Sequence, residues 1–188
     1  MPQPTLRTSR LRLRPLRAAD AAAIVTLAGD ARVSRWLLTV PHPYPAELAT
    51  SWIARTHDEW RAGTAVTWAI VEDGALVGAI SLRLVARHDH AELGYWLGVP
   101  AWGRGLATEA ARAVIGHAFR VLGLVRVFAQ HLGGNPASGR VLVKVGMAPE
   151  GVRRRHVRKR GRYHDAHQYA VLREDWRPRA APRPRPRR

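Results

Sequence analysis

The chain has 188 residues, 46% of them hydrophobic, and this length and composition predict one folded domain with its own core. No apolar run reaches the roughly 20 residues that a membrane-spanning helix needs. Residues 1–14 alternate leucine with arginine and contain no apolar block typical of a signal peptide, so we expect a cytoplasmic protein without membrane association. The absence of cysteine excludes disulfides, thiolate metal ligands and a cysteine nucleophile.

The net charge of +17 is carried almost entirely by arginine, since lysine occurs only at Lys144 and Lys159. Residues 177–188 contain six arginines and no acid, and their proline content predicts a disordered extension of the folded domain. Residues 153–162 contain seven further arginines and lysines and again no acid. This interior cluster is a candidate contact surface for RNA, a ribosome or an acidic substrate. A compositional bias toward arginine is the alternative explanation.

The first half of the chain predicts one strand, two helices and then three antiparallel strands. Leucine alternates with arginine from Leu11 onward, which is typical of a half-buried strand near a sheet edge. Helical periodicity follows, and from Ala65 the period changes to two. The helices are expected at residues 18–28 and 45–60, and the antiparallel strands at residues 65–71, 76–85 and 91–99.

The second half predicts helices that alternate with strands. After Pro100, apolar residues recur at offsets of three and four and predict a helix over residues 107–122. A second helix is expected over residues 136–145, with Asn135 or Gly134 as its cap. Strands are expected at residues 124–130, 151–157 and 163–172. The fold class is therefore α/β (α+β): one domain over residues 5–176, with a central, mixed, mostly antiparallel sheet flanked by helices.

A glycine-rich turn joins the last of the three antiparallel strands to the helix after Pro100. Gly103 and Gly105 let the main chain approach phosphate oxygens, and a helix N-terminus adds unpaired N–H groups and a favourable dipole. A P-loop is excluded, because its glycine spacing and its Gly-Lys-Ser/Thr ending are missing. A dinucleotide fingerprint is disfavoured by Thr108, which stands where glycine or alanine is needed. A tight turn without a ligand is the simpler alternative for these two glycines alone.

Motifs on both sides of this turn form a family pattern. They are Glu92-Leu93-Gly94-Tyr95-Trp96-Leu97, Ala107-Thr108-Glu109-Ala110, Asn135-Pro136-Ala137-Ser138, Thr8-Ser9-Arg10-Leu11-Arg12-Leu13-Arg14-Pro15, Lys144-Val145-Gly146-Met147 and Gly161-Arg162-Tyr163-His164-Asp165. Together they resemble the GNAT superfamily of N-acetyltransferases, and within it the RimJ/RimL-type ribosomal-protein N-terminal acetyltransferases. The resemblance covers about residues 5–176 and is more specific for fold and cofactor than for the acceptor. Trp102 stands where the superfamily often has glutamine or arginine, although an aromatic residue is common in the RimJ/RimL type.

The resemblance implies transfer of an acetyl group from acetyl-CoA to a primary amine by direct attack, with no metal ion. It implies that the turn binds the pyrophosphate, that the preceding strand pairs with the pantetheine arm, and that Asn135 hydrogen-bonds this arm. The residues expected to bind acetyl-CoA are Leu97, Gly98, Val99, Trp102, Gly103, Arg104, Gly105, Leu106, Ala107, Thr108, Asn135 and Ser138. Ser138 is the candidate acid for the leaving thiolate, and Glu92 is the candidate base, acting through a water. The structural alternatives are a serine bonded to its own helix backbone and a glutamate paired with an arginine.

The acceptor implied by the resemblance is the α-amine of a protein, such as a ribosomal protein. A small-molecule amine, polyamine or antibiotic is the alternative within the same class, and an RNA- or ribosome-binding module on the same fold is the alternative from another class. Proteins of this type include homodimers, which makes a dimer compatible with the sequence. His88 and His90 flank one turn without a third ligand in the sequence nearby, so we expect no metal site there.

Overall fold

Eight strands of the described residues form one sheet, in the spatial order β1-β2-β3-β4-β5-β6-β8-β7. The computed structural model describes residues 2–177, so most of the extension predicted from residue 177 onward lies outside the described residues. The strands are β1 Leu6–Arg7, β2 Leu11–Pro15, β3 Ala65–Glu72, β4 Ala75–Val85, β5 His90–Leu97, β6 Arg126–Leu132, β7 Ala148–Lys159 and β8 Arg162–Leu172. The mixed, mostly antiparallel sheet with flanking helices confirms the predicted fold class.

The described part of the chain contains five α-helices, and the four longer ones pack against this sheet. They are α1 Ala21–Gly29, α2 Ala31–Ser34, α3 Ala46–Arg61, α4 Leu106–Arg120 and α5 Pro136–Lys144. The apolar periodicity of α4 places a fully buried face in the core, at Leu106, Ala110, Ala111, Val114, Ile115 and Ala118. The same helix buries His117, whose ring lies edge-on to Trp68 with the ring centres 5.7 Å apart. None of these helices is long and apolar enough to cross a bilayer.

The sheet splits at the one place where two neighbouring strands run parallel. β5 and β6 pair only through His90–Arg126, Ala91–Val127 and Glu92–Phe128. Beyond these pairs, β5 stays bonded to β4 as far as Leu97, while β6 stays bonded to β8 as far as Leu132. β5 and β6 therefore each stay hydrogen-bonded to their other neighbour. On the sides that face each other, their backbone groups have no strand partner among the described residues. Buried peptide groups need partners, so this gap is a natural place for a ligand.

Several predicted boundaries were wrong. β5 ends at Leu97 instead of residue 99, because Val99 begins a 3₁₀ turn that contains Pro100, and proline cannot donate to a ladder. β6 lies two residues later than predicted. β7 is longer than predicted, because the strand continues through two irregularities in its pairing with β8, one near Gly151 and one between Arg153 and Val157. β1 and α2 were missed, since two and four residues are too short to show a period.

Candidate active site

A cleft of about 510 Å³ opens where β5 and β6 diverge. Most residues expected to bind acetyl-CoA line it, namely Leu97, Trp102, Gly103, Gly105, Leu106, Ala107, Thr108, Asn135 and Ser138. Gly98, Val99 and Arg104 do not line the cleft. Gly98 lies just before it and packs so closely on Leu27 that an added Cβ would come within 2.6 Å of that side chain. The structure thus brings the strand end, the glycine-rich turn and the starts of α4 and α5 around one cavity.

The glycine-rich turn depends on two left-handed backbone conformations. Gly103 has φ 74° and Gly105 has φ 77°, a region that other residues adopt only at a cost. Gly105 is the N-cap of α4, so the first unpaired N–H groups of that helix are at the cleft. The Trp102 indole Nε1 donates to the Leu97 carbonyl oxygen over 2.8 Å and ties the turn to the end of β5. This arrangement suits an anion such as a pyrophosphate.

Glu109, in the first turn of α4, is held by the segment between β1 and β2. Its carboxylate accepts hydrogen bonds from Thr8 Oγ1 at 2.6 Å, Ser9 Oγ at 3.0 Å, and the Arg10 N and Nε at 3.0 and 2.7 Å. Arg10 Nη1 also donates to the Arg104 carbonyl oxygen over 3.0 Å. Burial raises the pKa of Glu109, but these donors outweigh it and leave the pKa below its ordinary value. The motif near the amino terminus therefore fixes the glycine-rich turn.

The side chain of Arg104 is engaged away from the cleft. Its Nη1 and Nη2 donate to the two carboxylate oxygens of Glu72 over 2.7 and 2.8 Å. Glu72 ends β3 and is buried, and a two-point bond of this kind holds a guanidinium firmly. Arg104 can therefore contribute to anion binding through its backbone, whereas its guanidinium braces the turn.

Ser138 and Tyr95 face each other where the two strands split. The Tyr95 hydroxyl lies 2.8 Å from Ser138 Oγ and 3.2 Å from the Ser138 carbonyl oxygen. Burial raises the pKa of Tyr95 to about 12, and the hydrogen bond to Ser138 partly offsets this effect. Asn135 caps α5 through its Oδ1, which accepts from the Ser138 N–H over 3.3 Å. The Ser138 hydroxyl is therefore paired with a phenol from β5, a partner that the sequence did not indicate.

Glu92 lines a second pocket of about 410 Å³, which adjoins the cleft. The two cavities share Tyr95 and Gln130, among others, so Tyr95 stands at their junction. The half-buried Glu92 carboxylate accepts from Gln130 Nε2 over 3.3 Å, and Gln130 Oε1 in turn accepts from Gln168 Nε2 over 2.8 Å. In the part of the chain that the structure describes, no arginine forms an ion pair with this carboxylate, in contrast to the structural alternative. Trp36, Tyr44 and Trp52 supply aromatic walls.

Three cations at the cleft were missed by the sequence analysis. Arg35, Arg140 and Lys144 all line it and are exposed to solvent. Arg140 and Lys144 are four residues apart on α5 and so share one helix face. The four-residue spacing could have predicted that both cations lie on one helix face, because Asn135 marks the start of the helix. These positive charges complement a ligand with several phosphates. Separately, among the described residues no group of three or more histidines and acids is placed to hold a metal ion.

Comparison with known proteins agrees with this geometry. The acetyltransferase (GNAT) domain family matches residues 10–148. The chain is 31% identical over 172 residues to the uncharacterized N-acetyltransferase YoaA of Bacillus subtilis, covering 90% of this chain and 97% of YoaA. RimJ of Mycobacterium smegmatis, solved with CoA-disulfide, superposes with a TM-score of 0.78 at 27% identity, covering 91% and 87% of the two chains.

A second solved structure shares the fold. It is RimL, the ribosomal L7/L12 α-N-protein acetyltransferase, in complex with coenzyme A, and it superposes with a TM-score of 0.82 at 21% identity. The match covers 90% of this chain and 98% of RimL. The family match, the relative and the cleft agree. This chain belongs to the GNAT family and is an acetyl-CoA-dependent N-acetyltransferase.

Proposed function

We propose that this enzyme acetylates the α-amine of a protein N-terminus in the cytoplasm, as the ribosomal-protein acetyltransferases it resembles do. The observation that carries the proposal is the pocket beside Glu92, which meets the cofactor cleft at Tyr95. Leu38 and Leu48 line this pocket and are 49% and 46% exposed, so its rim is an apolar surface open to solvent. Such a rim suits the first residues of a polypeptide, because their side chains can pack there while the amine reaches inward.

Acetyl-CoA supplies the activated acetyl group as a thioester. The backbone N–H groups from Gly103 to Thr108 would hold its pyrophosphate, and the α5 cations Arg140 and Lys144 add positive charge for its phosphates. The inward edge of β5 offers free peptide groups that can pair with the pantetheine arm. Asn135 uses Oδ1 for its own helix, which leaves its amide N–H groups as the donors for a ligand.

The reaction joins the amine nitrogen to the thioester carbonyl carbon and breaks the carbon–sulfur bond. The amine loses a proton and the sulfur gains one, so the products are an amide and a free thiol. Glu92 accepts the amine proton through a water, and a β5 N–H stabilises the carbonyl oxygen as it becomes negative. An α-amine has an ordinary pKa near 8, so only modest help from Glu92 is needed at neutral pH.

The Tyr95–Ser138 pair acts on the departing sulfur. A thiol resembling cysteine has a pKa near 8.5, whereas the pKa of Tyr95 is about 12. Complete proton transfer from the phenol to the thiolate is therefore uphill by about 5 kcal/mol, at roughly 1.4 kcal/mol for each pKa unit. We infer that Ser138, oriented by Tyr95, donates a hydrogen bond to the sulfur, and that water supplies the final proton. A hydrogen bond to a charged group contributes about 1.5–3 kcal/mol.

A screen of acceptors tests the proposal. Peptides with a free and with a blocked amino terminus, and a panel of small amines that includes polyamines, are incubated with acetyl-CoA. Release of free thiol gives the rate, and mass spectrometry locates the acetyl group. We expect acetylation at the α-amine of peptides and none of peptides with a blocked terminus. A panel in which only small amines react would overturn the proposal and favour the second candidate, a small-molecule acetyltransferase, which the 410 Å³ of the pocket would also accommodate.

A further inference from the structure

The arginine-rich residues 153–162, which we name the basic hairpin, lie at one edge of the sheet. They comprise the end of β7, the tight turn around Gly161 and the start of β8. Every arginine among them is exposed, at positions 153, 154, 155, 158, 160 and 162. None of these guanidinium groups forms an ion pair with a carboxylate in the described part of the chain, although Arg10, Arg14 and Arg126 elsewhere do. The hairpin therefore presents six guanidinium groups without an ion-pair partner among the described residues, and the nearby Asp165 carboxylate accepts from the Arg155 backbone N–H over 2.7 Å.

The tip of the basic hairpin rests against a segment that lines both cavities. Lys159 is only 8% exposed, and its Nζ donates to the carbonyl oxygens of Leu37 and Val40. Arg160 Nη2 donates to Ser34 Oγ over 3.1 Å. Residues 36–38 line the cleft and the pocket together, and we name residues 35–40 the acceptor loop. The positive surface is thus continuous with the rim where an acceptor enters.

Among the described residues, one carboxylate and one arginine line the pocket, and further arginines lie beyond it. Glu92 is the pocket's carboxylate, and its partner Gln130 lines both the pocket and the cleft. Arg55 is the pocket's cation, and its Nε lies 3.8 Å from Glu59 Oε1 in a surface ion pair of the kind that contributes little stability.

Arg35 on the acceptor loop is exposed and lines the cofactor cleft, and the tip of the basic hairpin contacts the neighbouring Ser34 through Arg160. An acceptor with a positive amine at its end and negative charge behind it can place its amine near Glu92 and its carboxylates near these arginines. A polycation instead meets repulsion along most of its length.

We propose that the acceptor is a polypeptide whose amino-terminal segment is acidic, and that the basic hairpin and Arg55 bind its carboxylates while the α-amine enters beside Glu92. This inference rests on the proposed function. RNA would also be attracted to the hairpin, but it has no primary amine to present to Glu92. The observations therefore favour an acidic peptide.

The test uses three synthetic peptides with the same first residue, followed by glutamate, glutamine or arginine at several positions. Initial rates of thiol release give kcat/KM for each peptide at low and at high salt. We expect the acidic peptide to exceed the neutral one by on the order of tenfold at low salt, with the arginine peptide lowest, because steering by charge raises encounter rates by at least that factor. About 0.5 M salt should remove most of the preference, since screening is then strong.

Two double variants locate the effect. Arg158→Gln/Arg162→Gln removes charge at the hairpin tip, and Arg7→Gln/Arg12→Gln removes the same charge from the opposite edge of the sheet, where these two residues pair on β1 and β2. The hairpin variant should lose most of the acidic preference and keep the KM for acetyl-CoA. The control variant should retain the preference. Stabilisation by acetyl-CoA in a thermal melt checks that both variants are folded.

The outcomes distinguish failure of the acidic-acceptor inference from failure of the proposed N-terminal acetylation. Equal kcat/KM for all three peptides, or equal losses in both double variants, would overturn the acidic acceptor and leave N-terminal acetylation intact. If no peptide is acetylated but small amines are, the proposed function itself is wrong. If an oligouridylate binds the enzyme through the hairpin arginines while the peptides show no charge preference, the hairpin binds RNA and the inference fails.

Discussion

Replacing Gly103 by alanine measures how strongly acetyl-CoA binding depends on the conformation of the glycine-rich turn. The position has φ 74°, and a Cβ built there meets no atom within 4 Å. Steric crowding is therefore absent, and the effect of the substitution is conformational. A left-handed conformation costs a residue with a Cβ roughly 1–2 kcal/mol, which corresponds to about a 5- to 30-fold change in an equilibrium constant.

Gly63→Ala is a matched control for this substitution. Gly63 has φ 66° just after α3, its Cβ would also meet no atom within 4 Å, and it does not line the cleft. Gly63→Ala should lower the free energy of unfolding by about 1–2 kcal/mol, whereas Gly103→Ala should lower it by less, because its turn can relax in the free protein. Titration calorimetry should show a dissociation constant for acetyl-CoA that is about 5- to 30-fold higher in the Gly103 variant, if the turn relaxes without the ligand and must be restored on binding.

The result that refutes this reasoning is specific. If Gly103→Ala binds acetyl-CoA within twofold of the unsubstituted protein and loses as much thermal stability as Gly63→Ala, the fold holds the turn in its left-handed conformation without the ligand, and the strain lowers stability alone. The fold alone would then set the conformation of the turn, and cofactor binding would not be coupled to it.

Three further predictions concern other contacts. Ser138→Ala and Tyr95→Phe should each lower kcat by about 10- to 150-fold, with little change in acetyl-CoA affinity. The double variant should be no slower than the slower single variant, and additive losses of kcat would mean that the two hydroxyls act separately. Glu109→Gln should lower the melting temperature and weaken acetyl-CoA binding together, because the donors from residues 8–10 lose their charged acceptor; weakened binding without a stability change would contradict this. Burial lowers the pKa of His117, so the stabilising effect of its neutral form is complete above about pH 6.5 and falls at lower pH. Urea unfolding at pH 7.5 and 5.0 should therefore show a smaller loss of stability at low pH in His117→Leu than in the unsubstituted protein. An equal loss in both proteins would contradict the prediction.

The features that the sequence predicted correctly are those with local signals. The period of α4 and the alternation in β3 are visible within windows of ten residues, and Asn135 followed by Pro136 marks the start of α5. The glycine-rich turn was found for the same reason, since Gly103 and Gly105 both adopt the conformation that glycine favours.

The features that were missed are contacts between distant parts of the chain. Tyr95 and Ser138 are 43 residues apart, and they meet only because β5 and β6 diverge after three residue pairs. The Arg104–Glu72 pair and the bonds from Lys159 to the acceptor loop likewise join separate elements. No single-sequence pattern reports such pairings, because they depend on the order of strands in the sheet.

The split between β5 and β6 also has a mechanical consequence. Only three residue pairs join the half-sheet β1–β5 to the half-sheet β6–β8, although helix α4 packs against both. A ligand arm that hydrogen-bonds to the free edges of β5 and β6 would link the two half-sheets. Without it, this seam should be the weakest line of the sheet, so amide hydrogens near the end of β5 should exchange fastest in the free enzyme. Acetyl-CoA would then be a substrate that also closes the sheet.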